Sequence, residues 1–377
     1  MNNAYLDHAS ASPLRESALE AMLPFLHAHH ADPGRLHGPG KVTRSAVELA
    51  REQVASLLGA RPREVIFTSG GSESVNAAIF GAVRRCANPT RLVTTAVEHS
   101  SVIEACHREE LETIVVGVDR HGRFDPAEIH SNISPTTALV TIQLANHEVG
   151  TMQPAAEVCA LARASGALVH VDACAAIGQV PIDFAALGAD LCSVGAHTWG
   201  GPKGTGALLV RRGLRIPSLI LGGAQERARR GGIENIPAIV GFGAAAAEVS
   251  VTLSSEEEIA RRNTERAFTA ISNDVNGITR FGDSVDRLPN ILCFGVDGVE
   301  AEPILLGLDQ RGIAIHSGSS CSSESLEPSP VLMAMGVAAD HSLRVSIGWN
   351  TTDAEIDLFI SEFSGVVTQL RALFGTN

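Results

Sequence analysis

The chain has 377 residues, of which 45% are hydrophobic, and it carries a formal net charge of −13. It exceeds the roughly 250–300 residues beyond which a single core stops growing, so we expect two domains. The negative charge argues against direct nucleic-acid binding through a broad basic face, and no uninterrupted apolar run reaches the ~18 residues that a membrane span requires. Residues 1–7 lack the basic start and the apolar core of a signal peptide, which predicts a cytoplasmic location.

The seven cysteines are dispersed along the chain and include no C-x-x-C pair. An odd, scattered set is typical of reduced thiols rather than of a disulfide framework or a zinc site, so no metal is expected. Most of these cysteines are predicted to be small core residues, as Cys192 is within an apolar strand. Cys321 differs because it lies in a polar loop of small residues, where a reactive thiolate would be accessible.

The N-terminal part of the chain predicts an extended segment, two helices and a loop between them. Residues 5–7 are extended, and Ser12-Pro13 begins the first helix. Residues 31–40 form a loop rich in glycine and proline that contains His37, and loops of this length are often functional. From Thr43 to Leu58 the apolar residues recur on one helical face.

Short apolar strands then alternate with helical segments, which predicts an α/β domain with a mainly parallel, doubly wound sheet. The predicted strands cover residues 65–68, 92–96, 113–116, 138–143, 167–171, 191–194 and 207–210.

The pattern changes after a small-residue helix at 236–248. Residues 253–258 have the composition of a capped helix start, and we place the domain boundary there. The prediction is a large domain over residues 16–250 and a smaller α+β domain over 251–377, to which residues 1–15 are added.

Polar and glycine-rich segments follow several of the predicted strands. Asp172 ends the strand at 167–171, and a glycine-rich turn at 195–206 follows the next strand. Ligands of open α/β sheets bind beside the carboxyl ends of strands, so both segments point to one crevice. Residues 68–74 offer the backbone N–H groups and the helix dipole that suit a phosphate, although an ordinary helix start has the same pattern.

Together with residues 97–100 (VEHS), 145–150 (ANHEVG) and 317–329 (SGSSCSSESLEPS), these motifs resemble the cysteine desulfurases of the class V aminotransferase group. The resemblance covers nearly the whole chain and implies the pyridoxal-phosphate (PLP) fold type I, as well as a homodimer whose active site spans two subunits. It implies the following cofactor contacts: Asp172 at the ring nitrogen, His99 stacked on the ring, Asn146 at the phenolic oxygen, Gly71 and Ser72 at the phosphate, and His197 before the lysine position at Thr198.

The same resemblance assigns the substrate chemistry. Cys321 would attack the sulfur of PLP-bound L-cysteine and become a persulfide for a possible sulfur-acceptor protein, with His99 as a second catalytic residue. Arg344 matches the residue that holds the substrate carboxylate with its planar guanidinium, and Asn146 would also contact the substrate.

Four positions depart from the family pattern, and they cluster around the expected cofactor. Thr198 replaces the lysine that holds PLP covalently, Ala175 replaces a ring-side glutamine, Gly195 replaces a phosphate-binding serine, and Ile233 replaces a threonine that reaches the partner's phosphate. Lys203 belongs to the ordinary pattern and is not a substitute. Two lost hydrogen bonds to a charged phosphate, at roughly 1.5–3 kcal/mol each, predict PLP binding weaker by at least about a hundredfold.

Three interpretations therefore stay open at the level of sequence. In the first, the protein is a desulfurase-class enzyme that binds PLP without a covalent bond, or as a preformed aldimine with the substrate, with lysine-dependent catalysis impaired or absent. In the second, it is a non-catalytic homologue that relays sulfur or acts as a docking scaffold. In the third, Thr198 and Trp199 shape a new ligand site for a different reaction.

Overall fold

The computed structural model describes residues 3–318 and 328–374. The strands in this part are β1 (Ala4–Tyr5), β2 (Val65–Thr68), β3 (Arg91–Thr95), β4 (Glu112–Val116), β5 (Thr137–Gln143), β6 (Val169–Asp172), β7 (Leu191–Gly195), β8 (Gly206–Val210), β9 (Ile278–Phe281), β10 (Ile291–Val296), β11 (Ile313–Ala314), β12 (His316–Ser317) and β13 (Ser342–Ser346).

The helices are α1 (Glu16–His27), α2 (Gly38–Leu57), α3 (Gly71–Arg85), α4 (Ser100–Arg108), α5 (Pro126–Ser131), α6 (Ala155–Ser165), α7 (Phe184–Leu187), α8 (Gln225–Ala228), α9 (Ile236–Asp274), α10 (Ala301–Asp309), α11 (Pro330–Ala334) and α12 (Asp353–Phe374).

Within the described part of the chain, seven strands form the large sheet in the order β2-β8-β7-β6-β5-β3-β4. All neighbouring strands are parallel except β8, which is antiparallel to both β2 and β7. The turn at 196–205 explains this exception, because a parallel return needs a crossover of about a dozen residues or more. The mainly parallel sheet predicted from the sequence is confirmed, and its strand ends bring the polar segments to one edge.

The second unit is built on the four-stranded sheet β12-β13-β10-β9 and on the pair β1-β11. Its core is separate from that of the large sheet and includes Leu6, Phe294, Val345 and Phe359. Helix α9 contributes to both cores, with buried residues up to Val249 in the large one and buried residues from 260 onward in the small one. The change of core thus lies inside a helix, and the domain limits at 250 and 251 stay a prediction.

The predicted helix start at residues 253–258 is wrong, because α9 runs without a break from Ile236 to Asp274. The hydroxyl of Ser255 does not cap a new helix and donates instead to the carbonyl of Thr252. Arg15 also stabilises this part of the helix through ion pairs with Glu248 and Glu256. Long-range packing therefore overrides the local capping pattern.

Helix α9 is long and apolar enough to span a membrane, but half of its most apolar window is buried in the protein. A buried core helix passes the same test of length and composition, so the helix is weak evidence for a membrane span. It packs chiefly against α1 and α2.

The predicted loop at 31–40 is wrong at its end, because α2 begins at Gly38. The ring Nδ1 of His37 accepts the N–H of Gly40 at 3.2 Å and caps the helix. Pro39 fits in the first turn because the N–H that it lacks would have no partner within the helix.

Candidate active site

Two adjoining cavities open beside the carboxyl ends of the parallel strands. The inner cavity, of about 100 Å³, is lined by residues that include Gly71, Ser72, Gln143 and Asp172. The outer cavity, of about 430 Å³, is lined by residues that include Asp7, Thr198, His316 and Arg344. Among the described residues, five line both cavities, namely His99, His147, Cys174, Ala175 and His197.

Asp172 lies at the floor of the inner cavity as the last residue of β6. The side chain is buried, and its Oδ1 accepts the backbone N–H of Cys174 at 3.0 Å. This hydrogen bond holds the carboxylate at the strand end, where it can accept a hydrogen bond from a ring N–H.

The start of α3 supplies the other wall of the inner cavity. Gly70, at the N-cap, provides no side-chain hydrogen bond to the first turn. A Cβ atom at Gly71 would lie 2.5 Å from Sγ of Cys174, so a larger residue there would require the Cys174 side chain to move. The first-turn N–H groups and the positive end of the helix dipole suit a phosphate at Gly71 and Ser72.

His99 lies between the two cavities and is oriented by the helix that follows it. The ring Nδ1 accepts the backbone N–H of Ser101 at 3.0 Å, as an N-cap of α4, and lies 2.8 Å from the hydroxyl of Ser101. With Nδ1 as acceptor, the neutral ring carries its proton on Nε2. His147 packs edge-to-face against this ring at 5.2 Å between centroids.

Asn146 has no exposed surface, and its amide is bonded within the protein. The Oδ1 atom accepts the backbone N–H groups of Glu148 and Val149, and Nδ2 donates to the carbonyl of Val97 at 3.1 Å. The side chain therefore holds the turn after β5 and is not among the residues that line either cavity. A contact from Asn146 to the cofactor or the substrate stays a prediction.

Thr198 faces the outer cavity at the position expected for the lysine. The hydroxyl lies 3.4 Å from the carbonyl oxygen of Cys174, and the Thr198 carbonyl accepts the hydroxyl of Ser12 at 2.8 Å. Burial, with smaller contributions from the charges of Lys203 and His99, lowers the pKa of the neighbouring His197 below its ordinary value. His197 is therefore neutral at pH 7.

Lysine is almost absent from this protein. The sequence contains two lysines, Lys41 and Lys203, and both side chains are exposed. Neither of them lines the inner or the outer cavity. The site as folded therefore offers no amine for a covalent bond to a carbonyl compound.

Trp199 does not shape the cavities, so that part of the third interpretation is wrong. The indole is buried in the core, where it packs against Phe242 and donates to the Gly195 carbonyl at 2.7 Å. Gly178, with φ of 74°, allows the chain to pass directly against this ring.

Arg344 lines the outer cavity from β13 and is 1% exposed. Its Nη2 donates to Asp7 and Ser10 at 2.9 and 2.8 Å, and Nη1 donates to the His147 carbonyl at 3.1 Å. Its Nε has no partner among the described residues. A guanidinium that is fixed in this way and has a donor to spare suits a carboxylate ligand.

Cys321 lies outside the described residues, but the chain on both sides of its segment can be placed. His316 and Ser317 form β12, where His316 is opposite Arg344 in the sheet register and lines the outer cavity. After the segment, the hydroxyl of Ser329 donates to Oε2 of Glu148 at 2.5 Å.

Sequence reasoning missed several residues that line the cavities: Gln143, His147, Cys174 and His316. A pattern was available for Gln143, a polar side chain at the end of a strand of otherwise apolar and threonine residues. No pattern indicated Cys174, whose thiol pKa is raised well above its usual value by burial and by Asp172. Among the described residues, no group of His, Cys, Asp or Glu side chains has the geometry of a metal site.

Comparison with known proteins decides the family. Residues 4–359 match the family described as Aminotransferase class-V. The chain belongs to this family. It is 39% identical to a cysteine desulfurase IscS of Dictyoglomus turgidum, over 98% of this chain and 95% of that protein. It is 41% identical to a cysteine desulfurase of Cereibacter sphaeroides, over 99% and 98% respectively.

Solved structures agree with this class V assignment. A NifS-like protein superposes with a TM-score of 0.91 at 29% identity, covering 98% of this chain and all of that one. A structure of SspA in complex with cysteine superposes with a TM-score of 0.82 at 30% identity, covering 91% and 98% respectively. The predicted resemblance to the cysteine desulfurases and the PLP fold type I are both confirmed.

The family is PLP-dependent, and the residues present fit this cofactor when it is held without a covalent bond. Asp172 matches a ring nitrogen, the start of α3 matches a phosphate, and His99 is oriented by its own hydrogen bonds beside both. A lysine-bound cofactor does not fit, because neither of the two lysines in the sequence, Lys41 and Lys203, lines the cavities.

Proposed function

We propose that this protein is a cysteine desulfurase-like enzyme that binds PLP without a covalent bond and mobilises sulfur from L-cysteine through a persulfide on Cys321. The observation that carries the proposal is the pair of adjoining cavities, with a fixed carboxylate, Asp172, in one and a fixed guanidinium, Arg344, in the other. This arrangement supports a ring-shaped cofactor beside an amino-acid carboxylate. The proposal extends to this chain what is known of its relatives.

We propose the following roles for the residues at the two cavities and for Cys321. Asp172 accepts a hydrogen bond from the ring nitrogen, Gly71 and Ser72 bind the phosphate, and Arg344 binds the substrate carboxylate. When bound, PLP supplies an electron sink that makes the carbon–sulfur bond of the substrate breakable. The thiolate of Cys321 attacks the substrate sulfur, so that a sulfur–sulfur bond forms while the carbon–sulfur bond breaks.

Because no lysine is present at position 198, we expect proton transfer to be the slow step of the proposed reaction. Among the described residues, three histidines line both cavities, namely His99, His147 and His197, and the neutral imidazole of His197 can accept a proton. A well-placed general base contributes about 10²–10⁴ in rate. We therefore propose that sulfide release is slower by about this factor than it would be with a lysine at position 198.

The proposal includes a homodimer in the cytoplasm and a sulfur-acceptor protein as partner. Ile233 lies in the segment that by resemblance reaches the partner subunit. Its side chain is 65% exposed, as expected for a side chain that would be covered by a second copy of the chain. Leu221 nearby is also exposed. Burial of such exposed apolar side chains would favour association with a second copy.

A second candidate is a non-catalytic homologue that serves sulfur relay or docking. The observation that favours it is the loss of polar groups at Thr198, Ala175, Gly195 and Ile233, all in the expected cofactor environment. This scaffold would keep the fold and Cys321 but would not form the persulfide from L-cysteine by itself.

The test is persulfide formation by the purified dimer. The protein is incubated with PLP and L-cysteine, and the mass of the Cys321 peptide is measured beside that of a Cys321→Ser control. We expect a gain of one sulfur atom on Cys321 that depends on PLP and is faster in Thr198→Lys. No gain in the wild type, with a gain in Thr198→Lys, would contradict the enzyme proposal and support the scaffold.

A further inference from the structure

We propose that Gln143 binds the cofactor, with its Nε2 donating a hydrogen bond to the phenolic oxygen of PLP. This inference rests on the proposed function, because it concerns the same site. It assigns to Gln143 a contact that the family resemblance gave to Asn146, whose amide is bonded to the backbone of Val97, Glu148 and Val149.

The sheet register places Gln143 beside the residue that faces the ring nitrogen. Gln143 ends β5 and Asp172 ends β6, and the two are paired in the parallel ladder between these strands. Residues paired in this way project their side chains from the same face of the sheet. Both residues line the inner cavity.

The side-chain nitrogen of Gln143 has no hydrogen-bond acceptor among the described residues. Its backbone N–H donates to Oε1 of Glu98 at 3.1 Å, and its Oε1 lies 3.5 Å from Nδ2 of Asn146. The residue is 3% exposed, and Nε2 has no partner among the described residues. A buried amide N–H without an acceptor costs about 1–3 kcal/mol, which a ligand acceptor would recover.

The phosphate is matched by the start of α3 and the ring nitrogen by Asp172, which leaves the phenolic oxygen on C3 and the aldehyde oxygen on C4 as acceptors. Because Gln143 is paired with Asp172, it lies on the side of the ring nitrogen, and the phenolic oxygen is nearer to that nitrogen than the aldehyde oxygen is. Ala175, which lines both cavities, has no polar side chain to supply the contact. Among the described residues that line the inner cavity, Gln143 has the only carboxamide.

The experiment measures the affinity of the purified dimer for two probes, PLP and 3-deoxypyridoxal 5'-phosphate, which lacks the phenolic oxygen. Wild type is compared with Gln143→Leu and with Gln143→Met, whose unbranched side chain is closer in shape. We expect PLP to bind either variant about tenfold more weakly, corresponding to a lost hydrogen bond. The deoxy compound should bind all three proteins equally.

The unfolding free energy of the proteins without PLP separates this role from a structural one. Since a donor without a partner is removed, the variants should be at least as stable as wild type. Equal PLP affinity of wild type and both variants would overturn the assignment and leave the cofactor proposal intact. Failure of wild type to bind PLP at all would overturn both.

Discussion

Arg344 and Asp7 form a partly buried ion pair, with 2.9 Å between Nη2 and Oδ1, at the wall of the outer cavity. Asp7 comes from the N-terminal segment, and Arg344 comes from β13 near the other end of the chain. The pair fixes the guanidinium before any ligand arrives, so that little side-chain entropy is lost on binding.

We predict that Arg344→Gln lowers the unfolding free energy by about 2–4 kcal/mol, because Asp7 is left as a partly buried charge without its cation. The double variant Asp7→Asn with Arg344→Gln should recover part of this loss in urea unfolding, since no unpaired charge remains. Both variants should lose L-cysteine binding. Recovery of cysteine binding in the double variant would show that Arg344 acts only through stability.

The buried carboxyl of Glu98 should make the stability of the folded protein depend on pH. Burial raises the pKa of this carboxyl to about 8 from an ordinary value of 4.5, and the charge of Asp172 adds to the effect. Because the folded pKa is the higher one, the stability that Glu98 contributes is complete below about pH 4.5 and is lost as the pH rises through about 8.

Glu98→Gln keeps an acceptor for Thr95 and for the Gln143 backbone but cannot ionise. The variant should equal wild type at about pH 5 and exceed it by about 2–4 kcal/mol at about pH 9, as measured by urea unfolding at each pH. A stability difference between the variant and wild type that stays constant from about pH 5 to about pH 9 would mean that Glu98 is already ionised in the folded protein.

Thiol reactivity should separate Cys321 from the other cysteines. Burial raises the pKa of the thiols of Cys106 and Cys159 to about 12, and Cys174 is also shifted well upward. With a limiting amount of alkylating agent at neutral pH, we expect Cys321 to be modified first by peptide mapping. Cys86, which is half-buried, is the internal comparison, and faster labelling of Cys86 or Cys174 would contradict a sulfur-carrying role for Cys321.

The sequence was sufficient to predict which segments meet at the cavities, because parallel strands end at one edge of the sheet. Asp172 was expected there for that reason and His99 from the family resemblance, and both line the inner cavity. The direction of a side chain after its strand was not predictable, as Asn146 illustrates. Its amide is bonded to three backbone groups of its own neighbourhood instead of facing the cavity.

Contacts between distant parts of the chain also could not be predicted. His316 reaches the outer cavity because β12 pairs with β13, which places it opposite Arg344. Ser255 looked like a helix cap, but Arg15, far away in sequence, pairs with Glu256 and holds a continuous helix. In both cases tertiary packing, which leaves no trace in local composition, decides the result.

Substitutions toward the family pattern should restore PLP binding in steps. Thr198→Lys alone should bind PLP covalently but loosely, because Gly195 and Ile233 still lack phosphate contacts. A Cβ atom at Gly195 would lie 3.5 Å from its nearest neighbour, so Gly195→Ser fits without strain. Thr198→Lys combined with Gly195→Ser, Ile233→Thr and Ala175→Gln should bind PLP at least about a hundredfold more tightly than Thr198→Lys alone.

The visible absorbance of each protein, titrated with PLP, measures this affinity. If the quadruple variant folds and dimerises but takes up no PLP, the site has been remodelled beyond cofactor binding. The scaffold proposal would then replace the enzyme proposal.

The most direct test of non-covalent PLP binding is borohydride reduction of the wild-type protein saturated with PLP, followed by denaturation and mass measurement. We predict an unchanged protein mass and full recovery of cofactor on dialysis of an unreduced sample, because neither Lys41 nor Lys203 lines the cavities. Thr198→Lys, treated in parallel, should gain one pyridoxyl group on the new lysine. A stoichiometric pyridoxyl group on Lys203 of the wild type would contradict the account.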